Sequence, residues 1–163
     1  MSEVMITKPF IKRHGRYGLV EKSPQWTRAA KVLMIDDDME SILAIETIFR
    51  QFGCYITYAT EEKEASKYIS SGKADIIILD WMLNKGTGED LIYKSLRTIK
   101  KFKSLRHKFL FNRPLIITYS TLNRDRLCLP ETNFFTHIDH WKKPLSYKEI
   151  LTKTSALLNY YGF

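Results

Sequence analysis

The chain has 163 residues, enough for one domain of common size with a substantial core, and its net charge is +8. No stretch approaches the ~20 apolar residues of a membrane span. The N-terminus lacks the apolar core of a signal peptide, so the sequence predicts a cytoplasmic protein. Cys54 and Cys128 have neither metal-site spacing nor the density of a disulfide scaffold, and both are predicted to be core thiols.

The charge is unevenly distributed along the chain. Residues 1–30 carry six Lys/Arg and two Asp/Glu, residues 31–83 carry five and ten, and residues 84–163 carry fifteen and six. We therefore divide the chain into a basic N-terminal extension, 1–30, and one domain, 31–163. The basic excess is interpreted first as a solvated face. An acidic partner or nucleic acid is the alternative, although no motif that reads nucleic acid is present.

From Lys31 onwards, short apolar runs alternate with apolar stripes at helical spacing. The pattern predicts strands at 31–35, 54–59, 75–80, 114–120 and, more weakly, 134–139, and helices at 40–52, 61–72, 88–105 and 146–161. The segment between Ser120 and Phe134 is a poor candidate for a helix. Strands that are apolar on both faces and alternate with helices indicate a five-stranded parallel α/β sheet with helices on both faces.

Polar side chains follow four of the five predicted strands. They are Asp36, Asp37 and Asp38 after the first strand, Asp80 after the third, Ser120 after the fourth and Lys143 after the fifth. Because parallel strands end at one edge of the sheet, these residues are expected to converge there. Crowded carboxylates repel one another unless a cation lies among them, and hard oxygen ligands suit Mg²⁺.

Asp80 ends a buried aliphatic run, where an uncompensated polar group costs about 2–7 kcal/mol. A metal ion and the Lys143 ammonium would compensate it. A carboxylate held in this way can act as a nucleophile toward phosphorus, while the cations and a hydroxyl stabilise the transferred group.

The motifs "VLMIDDD", "ILDWMLNKGTGEDLI" and "KKPLS" together resemble the receiver domain of two-component response regulators, over about residues 31–160. The resemblance implies a flavodoxin-like sheet of strand order 2-1-3-4-5. It also implies Mg²⁺ binding by Asp36, Asp37, Asp80 and the backbone carbonyl of Met82, with Asp80 as the phosphoacceptor. Lys143 takes the role of the family's lysine, which implies a cis bond before Pro144.

The switch hydroxyl is less clearly assigned. Counting from Pro114, the family's Ser/Thr position falls on Tyr119, so Ser120 fits only with one extra residue in the strand, and Thr118 and Thr121 stay open. The family's aromatic switch position is His140, with Trp141 as an alternative. An imidazole there would add sensitivity to pH.

The resemblance implies a signalling switch rather than an enzyme. Asp80 would accept a phosphoryl group from a histidine kinase or phosphotransfer protein, and the altered surface would change binding to an unknown downstream protein. One alternative is a degenerate receiver that binds partners without phosphorylation, suggested by Asn84 in place of the usual Pro, by His140 and by the poor fourth helix. A second is a haloacid-dehalogenase-type phosphatase built on the D-x-D of Asp36 and Asp38, which leaves Asp80 without a role.

Overall fold

The computed structural model describes residues 28–163. The predicted extension 1–30 therefore lies almost wholly outside the described residues. The strands are β1 (Lys31–Ile35), β2 (Tyr55–Ala59), β3 (Ile76–Asp80), β4 (Met82–Leu83), β5 (Gly86–Thr87), β6 (Leu115–Ser120) and β7 (Thr136–Lys142). The helices are α1 (Met39–Gln51), α2 (Glu62–Ser71), α3 (Gly88–Lys101), α4 (Lys103–Phe111) and α5 (Tyr147–Tyr161).

Five parallel strands form the main sheet in the order β2-β1-β3-β6-β7. Numbered along the chain, this is the predicted order 2-1-3-4-5, and the fold prediction is confirmed. Alternate residues of the strands face opposite sides, which divides the core in two. Met34 and Ile78 pack with α1 and α5, whereas Leu33 and Ile77 pack with α2, α3 and α4.

Two helix ends follow the capping signals in the sequence. Asp38 caps α1 by accepting hydrogen bonds from the backbone N–H groups of Glu40 and Ser41. Ser146 and Glu149 form a capping box at the start of α5. These caps fix where the two helices begin, immediately after the loops that leave β1 and β7.

The single helix predicted over 88–105 is wrong, because the chain leaves helical geometry at Phe102, with φ −111° and ψ 122°. The Phe102 carbonyl accepts a hydrogen bond from the Arg106 N–H, at 3.0 Å, and a new helix, α4, begins. The change of direction places Phe109 in the core, where its ring meets Phe135 edge-on at 5.5 Å. No glycine or proline marks the break.

The predicted weak strand at 134–139 is displaced to β7, Thr136–Lys142, which pairs with β6 through a register shift between Ile116 and Ile117. Before it, the only helical turn in residues 121–135 is the 3₁₀ turn Arg124–Arg126, as the poor helical pattern there suggested.

Cys54 is buried, and burial raises the pKa of its thiol to about 11. Cys128 is exposed, so its prediction as a core thiol is wrong. None of the helices in residues 28–163 is long and apolar enough to cross a membrane.

Candidate functional site

The carboxyl ends of β1, β3 and β7 bring two acids and one base together. The Lys143 Nζ donates to Asp36 Oδ2 at 2.6 Å and to Asp80 Oδ2 at 2.8 Å. The Asp36 side chain is fully buried, and the side chains of Asp80 and Lys143 retain only 8% and 14% exposure. Asp80 therefore has the compensating cation that its buried position requires.

Backbone groups orient both carboxylates. Asp36 Oδ1 accepts from the Asp38 N–H, and Asp80 Oδ1 accepts from the Met82 N–H, each at 3.0 Å. Lys143 is held in turn by its own N–H, which donates to the Ser120 carbonyl at 2.8 Å. Each carboxylate thus presents one oxygen to the backbone and the other to Lys143. These hydrogen bonds hold both carboxylates in fixed orientations.

The electrostatics of the cluster follow from burial opposed by pairing. Burial raises the pKa of Asp36 above its usual range, and the Lys143 hydrogen bond offsets only part of that rise. Burial by itself would lower the pKa of Lys143, but its hydrogen bonds to Asp36 and Asp80 outweigh this effect and raise that pKa. Lys143 is therefore charged at neutral pH.

Asp37 completes a set of oxygen ligands. Carboxylate oxygens of Asp36, Asp37 and Asp80 all lie within 4.8 Å of one another, and Asp37 is half-buried beside its two buried neighbours. Three such oxygens, with solvent access on the Asp37 side, suit a hard divalent cation that keeps several waters. Asp38, the third acid of the run, serves as the α1 cap instead.

The start of α3 packs closely against the end of β3 at the same edge of the sheet. The β4–β5 hairpin, which the sequence pattern did not reveal, leads directly into α3. At Gly88 a Cβ atom would lie 2.9 Å from the Asp80 carbonyl oxygen and 2.9 Å from the Trp81 ring. Only glycine permits this contact between the start of α3 and the end of β3.

Tyr119, not a serine or threonine, stands beside Asp80 on β6. The two residues are register partners, and Lys143 Nζ lies 4.7 Å from the centroid of the Tyr119 ring. Burial raises the pKa of the Tyr119 phenol, so the ring is neutral over the physiological range. The count from Pro114 placed Tyr119 here, and that was the one sequence signal for this contact.

The candidate hydroxyls lie elsewhere. Ser120 is buried, and its Oγ accepts from the Leu122 N–H at 3.4 Å, while Thr121 is exposed. Thr118 is buried and contacts two histidines rather than Lys143. Ser120 as the switch hydroxyl stays a prediction, and it now requires a change in the conformation of the end of β6.

His140 belongs to a partly buried network of hydrogen bonds. Its Nε2 lies 2.9 Å from the Leu122 carbonyl oxygen and its Nδ1 lies 2.9 Å from the Thr118 hydroxyl, which is 3.2 Å from His137 Nε2. A carbonyl only accepts, so a neutral His140 ring donates from Nε2, and Thr118 donates to Nδ1. His137 Nε2 then donates to Thr118. Trp141, the alternative to His140, is buried against Phe49 of α1.

The hydrogen-bond network of His137, Thr118 and His140 is expected to make the stability of the fold depend on pH. Burial, and then the nearby Arg124, lower the pKa of His137 below its usual 6.5. The unfolded chain therefore binds a proton more readily than the folded one, and stability is lost as pH falls from about 6.5 toward the lowered pKa of His137. We expect His137→Gln to reduce the loss of urea-unfolding free energy between about pH 7 and pH 5. The exposed His107→Gln is the control; an equal change in both variants would contradict the assignment.

Comparison with known proteins agrees with this geometry. The family model described as "Response regulator receiver domain" matches residues 32–106, which span β1 to the start of α4 and include the three acids. The chain carries a response regulator receiver domain. The receiver family belongs to two-component signalling and is regulatory rather than catalytic.

Relatives of this receiver domain extend the match beyond residue 106. The response regulator SaeR of Staphylococcus epidermidis is 30% identical over 127 residues, which is 78% of this chain and 49% of SaeR. The chain thus spans about half the length of the curated relatives it matches. A two-component response regulator from Clostridium difficile is 25% identical with a TM-score of 0.59, covering 82% of this chain and 99% of that one.

A third comparison concerns the metal. The receiver domain of sensor histidine kinase PA1611 from Pseudomonas aeruginosa PAO1 has a magnesium ion coordinated in its active site cleft. It is 22% identical with a TM-score of 0.55, and it covers 79% of this chain and 97% of its own. At this identity the likeness shows the fold alone.

Proposed function

We propose that this receiver domain is a phosphorylation-controlled switch. Asp80 takes a phosphoryl group from a histidine kinase or phosphotransfer protein in the cytoplasm, and the domain then acts through contacts with a downstream protein. The observation that carries the proposal is the pair of hydrogen bonds from Lys143 to Asp36 and Asp80, with Asp37 within the same 4.8 Å cluster.

In the proposed step, a carboxylate oxygen of Asp80 attacks phosphorus. The new O–P bond forms as the P–N bond of the donor phosphohistidine breaks, and the imidazole nitrogen leaves with the bonding electron pair. The Met82 N–H holds the Asp80 carboxylate in a fixed orientation, as the in-line attack requires. Lys143 already donates to Asp80 Oδ2, from which it can transfer a hydrogen bond to a phosphoryl oxygen.

The donor set fits a divalent cation. Asp36, Asp37, Asp80 and the backbone carbonyl of Met82 would hold Mg²⁺, with Asp36 acting through a water. When bound, the ion would supply positive charge beside the phosphoryl oxygens. Protonation of the buried Asp36 would oppose binding at acidic pH.

The degenerate-receiver alternative has one specific observation in its favour. Tyr119, rather than a serine or threonine, occupies the register position beside Asp80, and its ring lies next to Lys143. The phosphatase alternative fits the geometry poorly. It would use Asp36 as nucleophile with Asp38 beside it, but Asp36 is fully buried and the Asp38 carboxylate caps α1.

Intact-mass measurement after incubation with phosphoramidate or acetyl phosphate and Mg²⁺ tests the proposal. We expect the wild type to gain the mass of one phosphoryl group, which is lost at high pH as from an acyl phosphate, and Asp80→Asn to gain none. Asp125→Asn, an exposed change in the 3₁₀ turn, is the control and should label like the wild type. A wild type that stays unlabelled where an ordinary receiver labels would support the degenerate reading, and labelling at Asp36 the phosphatase reading.

A further inference from the structure

Residues 97–113, called here the basic arm, connect the last turn of α3 through α4 to the start of β6. They contain no Asp or Glu. Their seven cationic side chains are Arg97, Lys100, Lys101, Lys103, Arg106, Lys108 and Arg113. Such a density of one sign of charge favours the binding of a partner of opposite charge.

The rest of the domain does not neutralise these charges. Among residues 28–163, the ion pair nearest to the arm in sequence joins Lys94 to Glu62, and no ion pair includes a cation of the basic arm. Within the described part of the chain, Arg106 and Lys108 donate to backbone carbonyls, those of Lys100 and Ser71. The positive charge of the arm is therefore directed outward, toward solvent or a partner.

Large apolar side chains are exposed among these cations. Phe102 is 48% exposed, Leu110 51% and Phe111 83%, whereas Phe109 on the opposite side of α4 is fully buried. Exposed aromatic and aliphatic groups beside lysines and arginines form a surface that can enter a membrane interface. Clusters of four to eight Lys/Arg on such a helix are typical of anionic-lipid binding.

We propose that the basic arm binds the surface of an anionic phospholipid bilayer. The lysines and arginines attract headgroup phosphates, and Phe102, Leu110 and Phe111 enter the boundary between headgroups and acyl chains. Single-stranded nucleic acid fits less well, because it is held in charged grooves that follow its backbone. The basic arm lines none of the three clefts described in residues 28–163, and the exposed Leu110 has no stacking function.

The basic arm lies away from the proposed phosphorylation site. Helix α3 begins at Gly88, in contact with Asp80, and its 14 residues extend over about 20 Å before the arm reaches Phe102. This separation leaves room for a bilayer to cover the basic arm without covering Asp80. This proposal does not depend on phosphorylation of Asp80 and can be tested separately.

Sedimentation of the full chain with vesicles tests it. We expect binding to phosphatidylcholine vesicles that contain about a third phosphatidylglycerol, weakening with salt, and little binding to pure phosphatidylcholine. Changing Lys100, Lys101 and Lys103 together to Gln should weaken binding on the order of a hundredfold. The control changes the exposed Lys63, Lys67 and Lys73 to Gln, which gives the same net charge but should leave most of the binding.

A second pair of variants tests the apolar contact. Leu110→Ser should weaken vesicle binding several-fold, whereas Leu43→Ser on α1, at a similar exposure of 54%, should not. Equal losses in the two lysine variants would mean that only total charge matters and would overturn the proposal. Absence of wild-type binding to the anionic vesicles would overturn it too. If the arm lysines instead control binding of a single-stranded oligonucleotide while vesicles are not bound, a nucleic-acid surface replaces it.

Discussion

Asp37→Asn is expected to weaken Mg²⁺ binding at least tenfold and, in metal-free buffer, to raise the melting temperature by about 2–4 °C. Both effects have one cause. Lys143 pairs with Asp36 and Asp80 but not with Asp37, so without a metal the Asp37 charge repels two buried carboxylates and has no ion-pair partner among residues 28–163. Removing that charge relieves the repulsion and also removes a direct metal ligand.

Tryptophan fluorescence reports Mg²⁺ binding conveniently, because Trp81 follows Asp80 directly and is buried. Asp38→Asn is the matched control, since it removes one adjacent negative charge but only alters the α1 cap. It should leave the Mg²⁺ affinity within a few-fold of the wild type and should not raise the melting temperature. Normal Mg²⁺ affinity in Asp37→Asn, together with a loss in Asp38→Asn, would place the metal elsewhere.

The sequence predicts those residues of the site that stand at the ends of strands. Asp36 and Asp80 stand at the ends of apolar strands and Lys143 follows the weaker fifth strand, and a parallel sheet brings such residues to one edge. The cis bond between Lys143 and Pro144, implied by the resemblance, is present. These features depend on local pattern and on topology, both of which are visible in the order of residues.

The side of β6 that faces Asp80 depends on register, which the residue pattern does not determine. Successive side chains of a strand point to opposite faces, so an offset of one residue exchanges Tyr119 for Ser120. The pairing of Asp80 with Tyr119 puts the phenol at the site and the Ser120 hydroxyl on the other side. The break at Phe102 is similar, because it depends on the packing of Phe109 against Phe135 and not on a helix-breaking residue.

The Tyr119 ring is one of the groups that contact Lys143 in the unphosphorylated domain. The Lys143 ammonium donates to two carboxylates and lies over the Tyr119 ring, so each of its neighbours already stabilises its charge. A phosphoryl group on Asp80 would have to draw Lys143 from this arrangement. The coupling between the acceptor and the rest of the domain is therefore expected to begin with Lys143.

Lys143→Ala is accordingly expected to destabilise the fold by about 3–5 kcal/mol in metal-free buffer, as loss of one partner of a buried pair does. Asp36 and Asp80 would be left buried and without a cation. Because pairing raises the pKa of Lys143, this stabilisation is complete at neutral pH and is lost only as pH rises through that raised pKa. Urea unfolding with and without Mg²⁺ measures the effect, and Mg²⁺ should restore part of the stability.

Lys153→Ala is the control for that measurement, since Lys153 Nζ lies 3.5 Å from Asp139 in a pair that is more than one-third exposed. Its loss should cost no more than about 1 kcal/mol. In the folded, Mg²⁺-loaded state, Lys143→Ala should still accept a phosphoryl group on Asp80, because the lysine contacts that group without bonding to it covalently. The phosphorylated variant should nevertheless fail to change its binding to a partner. If Lys143→Ala is no less stable than Lys153→Ala, the buried cluster does not depend on the lysine, and Lys143 loses the role assigned to it.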